Sequence, residues 1–403
     1  MTYLQLAAKR YLANYSGLPT ACWQGIILGF FNAISIGVCF FMSLYFINTL
    51  HISVATAGFL ISAYGIGMTL GGILGGRLSD QLSPRIISIG SVLLQSLTFF
   101  LLAKLHNPTF LMINLFFSGL AAYGFKTANN TWLFDKCSHQ PELRLKTVSV
   151  LYAFGNLGLG ISGIIIGVFG GYGFENIFYF SSVLLFLSGC YLLTKKDSTH
   201  VEKNAAQENV APSQIESRKE NKKIVYLMLG CLFLIGLIIA QLSTTYPLYV
   251  QNKYPELGLK AVSILFLLDS ALIVVFQAPI SNFIKKHNKI LVVGFGALLM
   301  GLGMLLLNFS FVFLLAALSC VIWTTGEMLF ISTAQVVCYE QGDIKKKGQN
   351  LGIFQSVFAA SIIIGPTLGG GLYQHVGGDA VWYVSGLIGM ICFLGCFVYR
   401  RYD

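Results

Sequence analysis

Long apolar runs separated by short polar stretches organise this chain of 403 residues. A helix needs about 20 apolar residues to cross the hydrocarbon core of a bilayer. Twelve runs meet that length, over residues 23–48, 55–77, 86–103, 109–132, 147–170, 173–194, 223–249, 258–281, 289–306, 310–335, 350–373 and 379–399. They are rich in glycine and lack the alternation of barrel strands, so they read as helices. The pattern predicts an all-α polytopic membrane protein with twelve transmembrane helices. The first run is long, lies well inside the chain and ends without an A-x-A site, so it is expected to stay rather than be cleaved.

One polar stretch stands apart. Lys195–Lys223 reads KKDSTHVEKNAAQENVAPSQIESRKENKK, charged and nearly free of apolar runs, as flexible linkers are. It divides the chain into six spans in 1–194, a linker over 195–222, and six spans in 223–403.

Composition agrees and narrows the class. The chain is 55% hydrophobic and only 10% charged, where soluble domains carry about 25% charged residues. A soluble globule and a disordered chain are both excluded. The net charge of +10 does not mark a nucleic-acid binder, because the cations follow topology instead of clustering on one soluble face. With the N-terminus in the cytosol, 22 of the 26 cations fall on the cytosolic side, three (Lys104, Lys253 and Lys260) fall outside, and Lys126 lies within a span. The positive-inside rule then predicts cytosolic N- and C-termini. The nine cysteines show no paired spacing on the outer face, so neither a disulfide frame nor a metal site is expected.

The halves repeat weakly at an offset of about 201–202 residues. GGRLSDQLSPR after the second span corresponds to APISNFIKKHNK after the eighth, pairing Asp80 with Asn282. Gly163 and Gly167 in the fifth span pair with Gly365 and Gly369 in the eleventh, Ser118 with Ser319, and Lys126 with Glu327. Repeated halves with a binding site at mid-depth are a mark of secondary transporters.

The chain resembles the twelve-helix transporters of the major facilitator superfamily, over nearly everything but its tails and linker. The most specific segment is Gly76-Arg77-Leu78-Ser79-Asp80-Gln81-Leu82-Ser83-Pro84-Arg85. It matches the family's loop signature at Gly76, Leu78, Asp80 and Arg85, and departs from it at Gln81, Ser83 and Pro84. The resemblance implies two pseudo-symmetric six-helix bundles and a gate at this loop. In that gate Asp80 pairs with cations and a helix end to hold the halves together, with Arg85 as its local partner. It also implies a bacterial inner (plasma) membrane location.

Three charges lie deep inside predicted spans, away from their ends: Lys126, Asp269 and Glu327. Each costs roughly 2.5–3.5 kcal/mol to insert at the bilayer centre, so each is a functional candidate facing the bundle interior. The histidines fall in loops or near span ends, which leaves Asp269 and Glu327 as the proton-coupling acids. Lys126 is expected to face Glu327 and to pair with it in one state. Some bacterial drug:proton antiporters, which the chain resembles here, carry an acid ten residues before a proline in the eighth span and a G-E pair in the tenth. Asp269 before Pro279, and Gly326-Glu327, fit both. Asn32 stands where many of those proteins have an acid. The G-P-x-x-G-G element that exporters carry in the fifth span falls in the eleventh here, as Gly365-Pro366-Thr367-Leu368-Gly369-Gly370.

In this family the first, fourth, seventh and tenth spans line the cavity, helped by the second, fifth, eighth and eleventh. The polar and aromatic candidates for substrate binding are therefore Asn32, Tyr64, Tyr123, Asn129, Asn130, Gln241, Thr244, Thr245, Tyr246, Trp323 and Gln355. Such a set suits a small, largely apolar organic solute. No phosphate-binding loop and no catalytic triad is present, so a proton gradient is expected to drive transport without a cofactor, and no enzyme activity is expected. The expected partners are the bilayer, protons and a small-molecule substrate, with no nucleic acid, and the protein is expected to be a monomer. The resulting expectation is proton-coupled export of a drug-like compound or a metabolite such as a siderophore. Proton-coupled uptake and a transporter-like receptor without flux are the rivals.

Overall fold

The computed structural model describes residues 17–39, 41, 42, 45–52, 54–137, 141–169, 173–194 and 221–400. The N-terminal tail and most of the linker predicted over 195–222 lie outside the described residues. Among the described residues, twelve helices are long and apolar enough to cross a membrane. Helices one to six are Thr20–Cys39, Val54–Gln81, Pro84–Leu102, Pro108–Lys136, Pro141–Phe169 and Phe174–Thr194. Helix seven comes in two pieces, Lys222–Ala240 and Thr245–Lys253. Helices eight to twelve are Leu259–Ile284, Lys289–Leu306, Phe313–Gln341, Lys347–His375 and Gly378–Tyr399. Large apolar side chains such as Phe59, Ile86, Leu187, Leu267, Leu314 and Leu387 point outward, which suits a lipid surface.

Local sequence explains where the helices start. Helices three, four and five begin at Pro84, Pro108 and Pro141, where the missing proline N–H leaves nothing unsatisfied. Asn107 caps helix four by accepting from Thr109 N, and Asn288 caps helix nine by accepting from Leu291 N, each at 2.9 Å. Gly377 precedes helix twelve at φ +117°, a conformation that L side chains rarely adopt.

The spans predicted from hydropathy are all present, but several run on. Helix two continues to Gln81, helix four to Lys136 and helix ten to Gln341. These polar extensions gather at one end of the bundle, the inner end in the orientation expected from the cation bias, where helices seven and eleven also begin.

Small residues set the closest packing. In the first half, a Cβ on Gly37 of helix one would lie 1.9 Å from Ser162 Oγ of helix five; in the second, a Cβ on Gly236 of helix seven would lie 1.8 Å from Ser361 Oγ of helix eleven. Both serines turn back onto their own helix, Ser162 to Leu159 O and Ser361 to Phe358 O. This shared device pairs Ser162 with Ser361 and corrects the pairing of Gly163 with Gly365. The glycines had attracted each other in sequence, but serine packing sets the register.

The halves meet chiefly through two pairs of helices, two with eleven and five with eight, with smaller contacts of four with eleven and five with ten. Helix two crosses helix eleven on bare backbone: a Cβ on Gly76 would lie 2.3 Å from Gly348 O, and one on Gly352 would lie 2.3 Å from Gly72 O. Ser356 Oγ donates to Thr69 O at 2.7 Å along the same seam.

Candidate functional site

The seam is sealed toward its inner end. Asp80, on the last turn of helix two, accepts from Gly348 N at 2.6 Å through Oδ1 and from Gln349 N at 2.7 Å through Oδ2. Both donors belong to the first turn of helix eleven, whose N–H groups have no partner within that helix. A carboxylate there also meets the positive end of the helix dipole. Arg85, expected beside Asp80, instead donates through Nη2 to Leu192 O at the end of helix six, 2.5 Å away. It ties helix three to helix six within the first half.

A second inner contact was not foreseen from sequence. Glu340, with its side chain 4% exposed, accepts from Lys289 at 2.6 Å and from Arg144 at 3.5 Å. Arg144 belongs to helix five, so this pair joins the halves. Its guanidinium also stacks over the Tyr339 ring at 5.3 Å. Tyr339 meets Phe134 of helix four across the seam, with ring centroids 4.4 Å apart.

The charged residues at mid-depth lie above this seal. Glu327 is the midpoint of helix ten and is buried. Its Oε1 accepts from the Tyr152 hydroxyl of helix five at 2.5 Å. Its Oε2 is buried without a hydrogen-bond partner among the described residues. Asp269 of helix eight accepts from Thr324 Oγ1 at 2.8 Å and lies close enough to Glu327 for their charges to interact. The two acids therefore share one microenvironment, and Tyr152 reaches it from the other half.

Lys126 does not pair with Glu327 in this state. Its Nζ sits 4.9 Å from the centroid of Tyr123, on its own helix, and 5.7 Å from that of Phe358 on helix eleven. The predicted exchange between these charges thus has no contact here to start from.

The amides and aromatics divide into two groups. Several bond helices to each other. Asn32 donates to Gln95 Oε1 at 2.7 Å, and Asn129 to Gly25 O at 2.9 Å. Gln241 donates to Leu237 O and Gly365 O and accepts from Thr245, each at 2.9 Å, so Gln241 and Thr245 staple the break in helix seven to helix eleven. For these four, helix packing accounts for the side chain. The rest stay near the interior. Tyr64 and Tyr123 cluster with Ile36, Met68 and Ala359, a group drawn from both halves. Tyr246 packs edge-on to Trp323 with centroids 6.4 Å apart. The Tyr64 and Tyr246 hydroxyls and Trp323 Nε1 are buried without partners among the described residues. Asn130 and Gln355 are buried as well.

At mid-depth, two more residues escaped sequence reading. Tyr152 and Phe358 each sit in an apolar span, where an aromatic carries no sign of what it faces. Tyr152 had one available hint: Asn156 follows a turn later, so that stretch of helix five is more polar than its neighbours.

Twelve membrane-crossing helices in two packed halves, with titratable groups at mid-depth between them, define the architecture of a secondary transporter. The model of the Major Facilitator Superfamily matches residues 25–343, and the chain belongs to that family of membrane transporters. It is 26% identical over 351 residues to the uncharacterized MFS-type transporter YttB of Bacillus subtilis (strain 168), covering 83% of each chain. It is 30% identical over 190 residues to the multidrug resistance protein MdtG of Proteus mirabilis (strain HI4320), covering 44% of each. Among solved structures, the fold matches the human organic anion transporter MFSD10 with a TM-score of 0.71 at 12% identity, covering 94% of this chain and 100% of that one.

Proposed function

We propose that the protein is a proton-coupled secondary transporter of a small organic solute, working by alternating access in a bacterial cytoplasmic membrane with both termini in the cytosol. The observation that carries this reading is the hydrogen bond from Tyr152 to Glu327, which joins the halves at mid-depth through a titratable group. An ionised Glu327 only accepts; a protonated one can also donate. Gain or loss of one proton thus changes the bonds across the seam, and the gradient gains a hold on the rocking of the halves. Asp269 widens the effect, because two neighbouring carboxylates resist being charged together.

In the proposed cycle, the inner seal at Asp80 and Glu340 holds while the interior is reached from the outer side. It breaks when the halves rock. Neutral acids and an occupied site lower the cost of passing through the closed intermediate, where no water shields a charge. The solute sits among Tyr64, Tyr123, Lys126, Tyr246, Trp323 and Gln355.

The charge of the cargo sets the direction. A cationic cargo displaces protons from Asp269 and Glu327, which gives antiport and export. Export is supported by the likeness to a multidrug resistance protein. An anionic cargo recruits protons to the same acids, which gives symport and uptake.

The test is proton flux in everted membrane vesicles loaded with a pH-sensitive dye. Addition of cargo should move protons in the parent, and Glu327→Gln should abolish that movement at normal protein level. Retained coupled flux in Glu327→Gln would sink the mechanism and favour a receptor or a facilitator.

A further inference from the structure

Lys126 is a partly buried cation inside a span, and its neighbours are rings rather than acids. Tyr123 comes from its own helix and Phe358 from the opposite half, so the ammonium sits where the two halves meet. Among the described residues no carboxylate lies within ion-pair distance of it. The sequence supplies only two acids deep inside the spans, Asp269 and Glu327, and these are engaged by Thr324 and Tyr152. Ring faces attract a cation, but by less than an ammonium loses when it is taken fully out of water, as closure of the interior around it would require. The missing stabilisation is what a counter-ion would provide.

We propose that Lys126 is the anion-binding group of the transport site, and that the cargo is an organic monoanion with an aromatic or bulky apolar body. This rests on the transport reading above and supplies its substrate class. A single lysine is one compact charge. It matches a carboxylate or sulfonate; a phosphate dianion would bring a second negative charge with no second cation, into an interior that already holds two acids. Tyr123, Phe358 and the nearby Tyr64 offer flat apolar faces to the body of such a molecule. Because Lys126 and Phe358 lie on opposite halves, a cargo held between them touches both and responds to their rocking.

A coupling sign follows. An anion at Lys126 raises the cost of ionising Asp269 and Glu327 in the same interior, so cargo binding favours their protonation. By reciprocity, protonation tightens cargo binding to the same extent. Anion and proton therefore load together, and the proposal commits to symport.

The experiment uses the full chain and three probes that share one ring system: naphthoate, naphthylmethylammonium and neutral naphthalenemethanol. Naphthoate should raise the melting temperature of purified protein, more at mildly acidic than at alkaline pH, and the ammonium should not. Lys126→Gln removes a partly buried charge that has no acidic partner among the described residues, so it should fold at least as well as the parent. It should weaken naphthoate binding roughly tenfold or more, the range for losing a charged partner, and leave the response to naphthalenemethanol unchanged. Lys126→Arg should keep most of the binding. A melting temperature that moves with the ammonium, or with neither ion, overturns the proposal, as does unchanged naphthoate binding in Lys126→Gln. Proton flux in proteoliposomes separates this from the broader reading. Lys126-dependent naphthoate binding without proton movement leaves the anion site standing and removes proton coupling. Proton flux driven by the ammonium and lost in Glu327→Gln does the reverse.

Discussion

The hydroxyl of Tyr152 donates to Glu327 across 2.5 Å, between residues 175 positions apart and on opposite halves of the molecule. The contact fixes the carboxylate's environment without neutralising it, and so gives a graded test of coupling. Tyr152→Phe should keep expression and cargo binding while displacing the pH profile of transport, because the hydroxyl that favours the ionised acid is gone. Glu327→Gln should reduce gradient-driven transport by roughly 10²-fold or more, the usual cost of removing a proton-transfer group, while cargo-for-cargo exchange persists. If both variants keep the parental pH profile, Glu327 does not carry the proton.

The Asp80 latch predicts a shift in conformational balance. Asp80→Ala strips two N–H acceptors from the start of helix eleven and should cost about 1 kcal/mol of contact across the seam. Gly76→Ala should act the same way by a different route, since its methyl would lie 2.3 Å from Gly348 O. Alkylation of a cysteine introduced at the inner end should speed up in both. Gly90→Ala is the control: a Cβ there meets nothing within 4 Å, and the change should be silent.

Glu340 makes a prediction about stability. Its carboxylate is buried between Arg144 and Lys289. Glu340→Gln leaves two cations facing a neutral group and should destabilise the closed state by roughly 3 kcal/mol, as breaking a buried pair does. Pairing it with Arg144→Gln should recover part of the loss, because one of the two cations facing the neutral group goes with it. Melting temperatures of the two single variants and the double variant give the coupling directly. Simple additivity would mean that the contact does not hold the halves together.

How much of this was legible in the sequence depends on what each residue's signal reports. Hydropathy located all twelve spans, because crossing a bilayer is a constraint on composition. Lys126, Asp269 and Glu327 stood out for the same reason: a charge in an apolar run is expensive wherever the helix points. What the pattern could not supply was direction around the helix axis. Asn32, Asn129, Gln241 and Thr245 looked like cavity groups, yet the first three bond neighbouring helices and Thr245 bonds Gln241 across the break in helix seven. Inside a membrane bundle every face of a helix is apolar, so periodicity does not tell cavity from seam. Arg144 and Lys289 were read as markers of orientation, and their shared acid, Glu340, appeared only in three dimensions. The break in helix seven was readable in principle, since Gln241-Leu242-Ser243-Thr244-Thr245 interrupts an apolar run with polar residues.

That break yields the last prediction. Gln241 sits where helix seven stops, and its amide joins both pieces to helix eleven: Nε2 reaches Leu237 O and Gly365 O, and Oε1 receives Thr245. Gly369 makes room for it, since a Cβ there would lie 1.8 Å from Gln241 Oε1. Gln241→Leu keeps the bulk and removes these bonds, leaving two carbonyls and a hydroxyl to find other partners, at about 2 kcal/mol. Gly369→Ala should push the amide aside from the opposite wall and cost a similar amount. The double variant should then cost less than the sum, because leucine lacks the polar atoms that the alanine methyl would dislodge. Melting curves for the three proteins decide it: full additivity would mean that Gln241 and Gly369 act separately, and that the amide is not what holds helix seven against helix eleven.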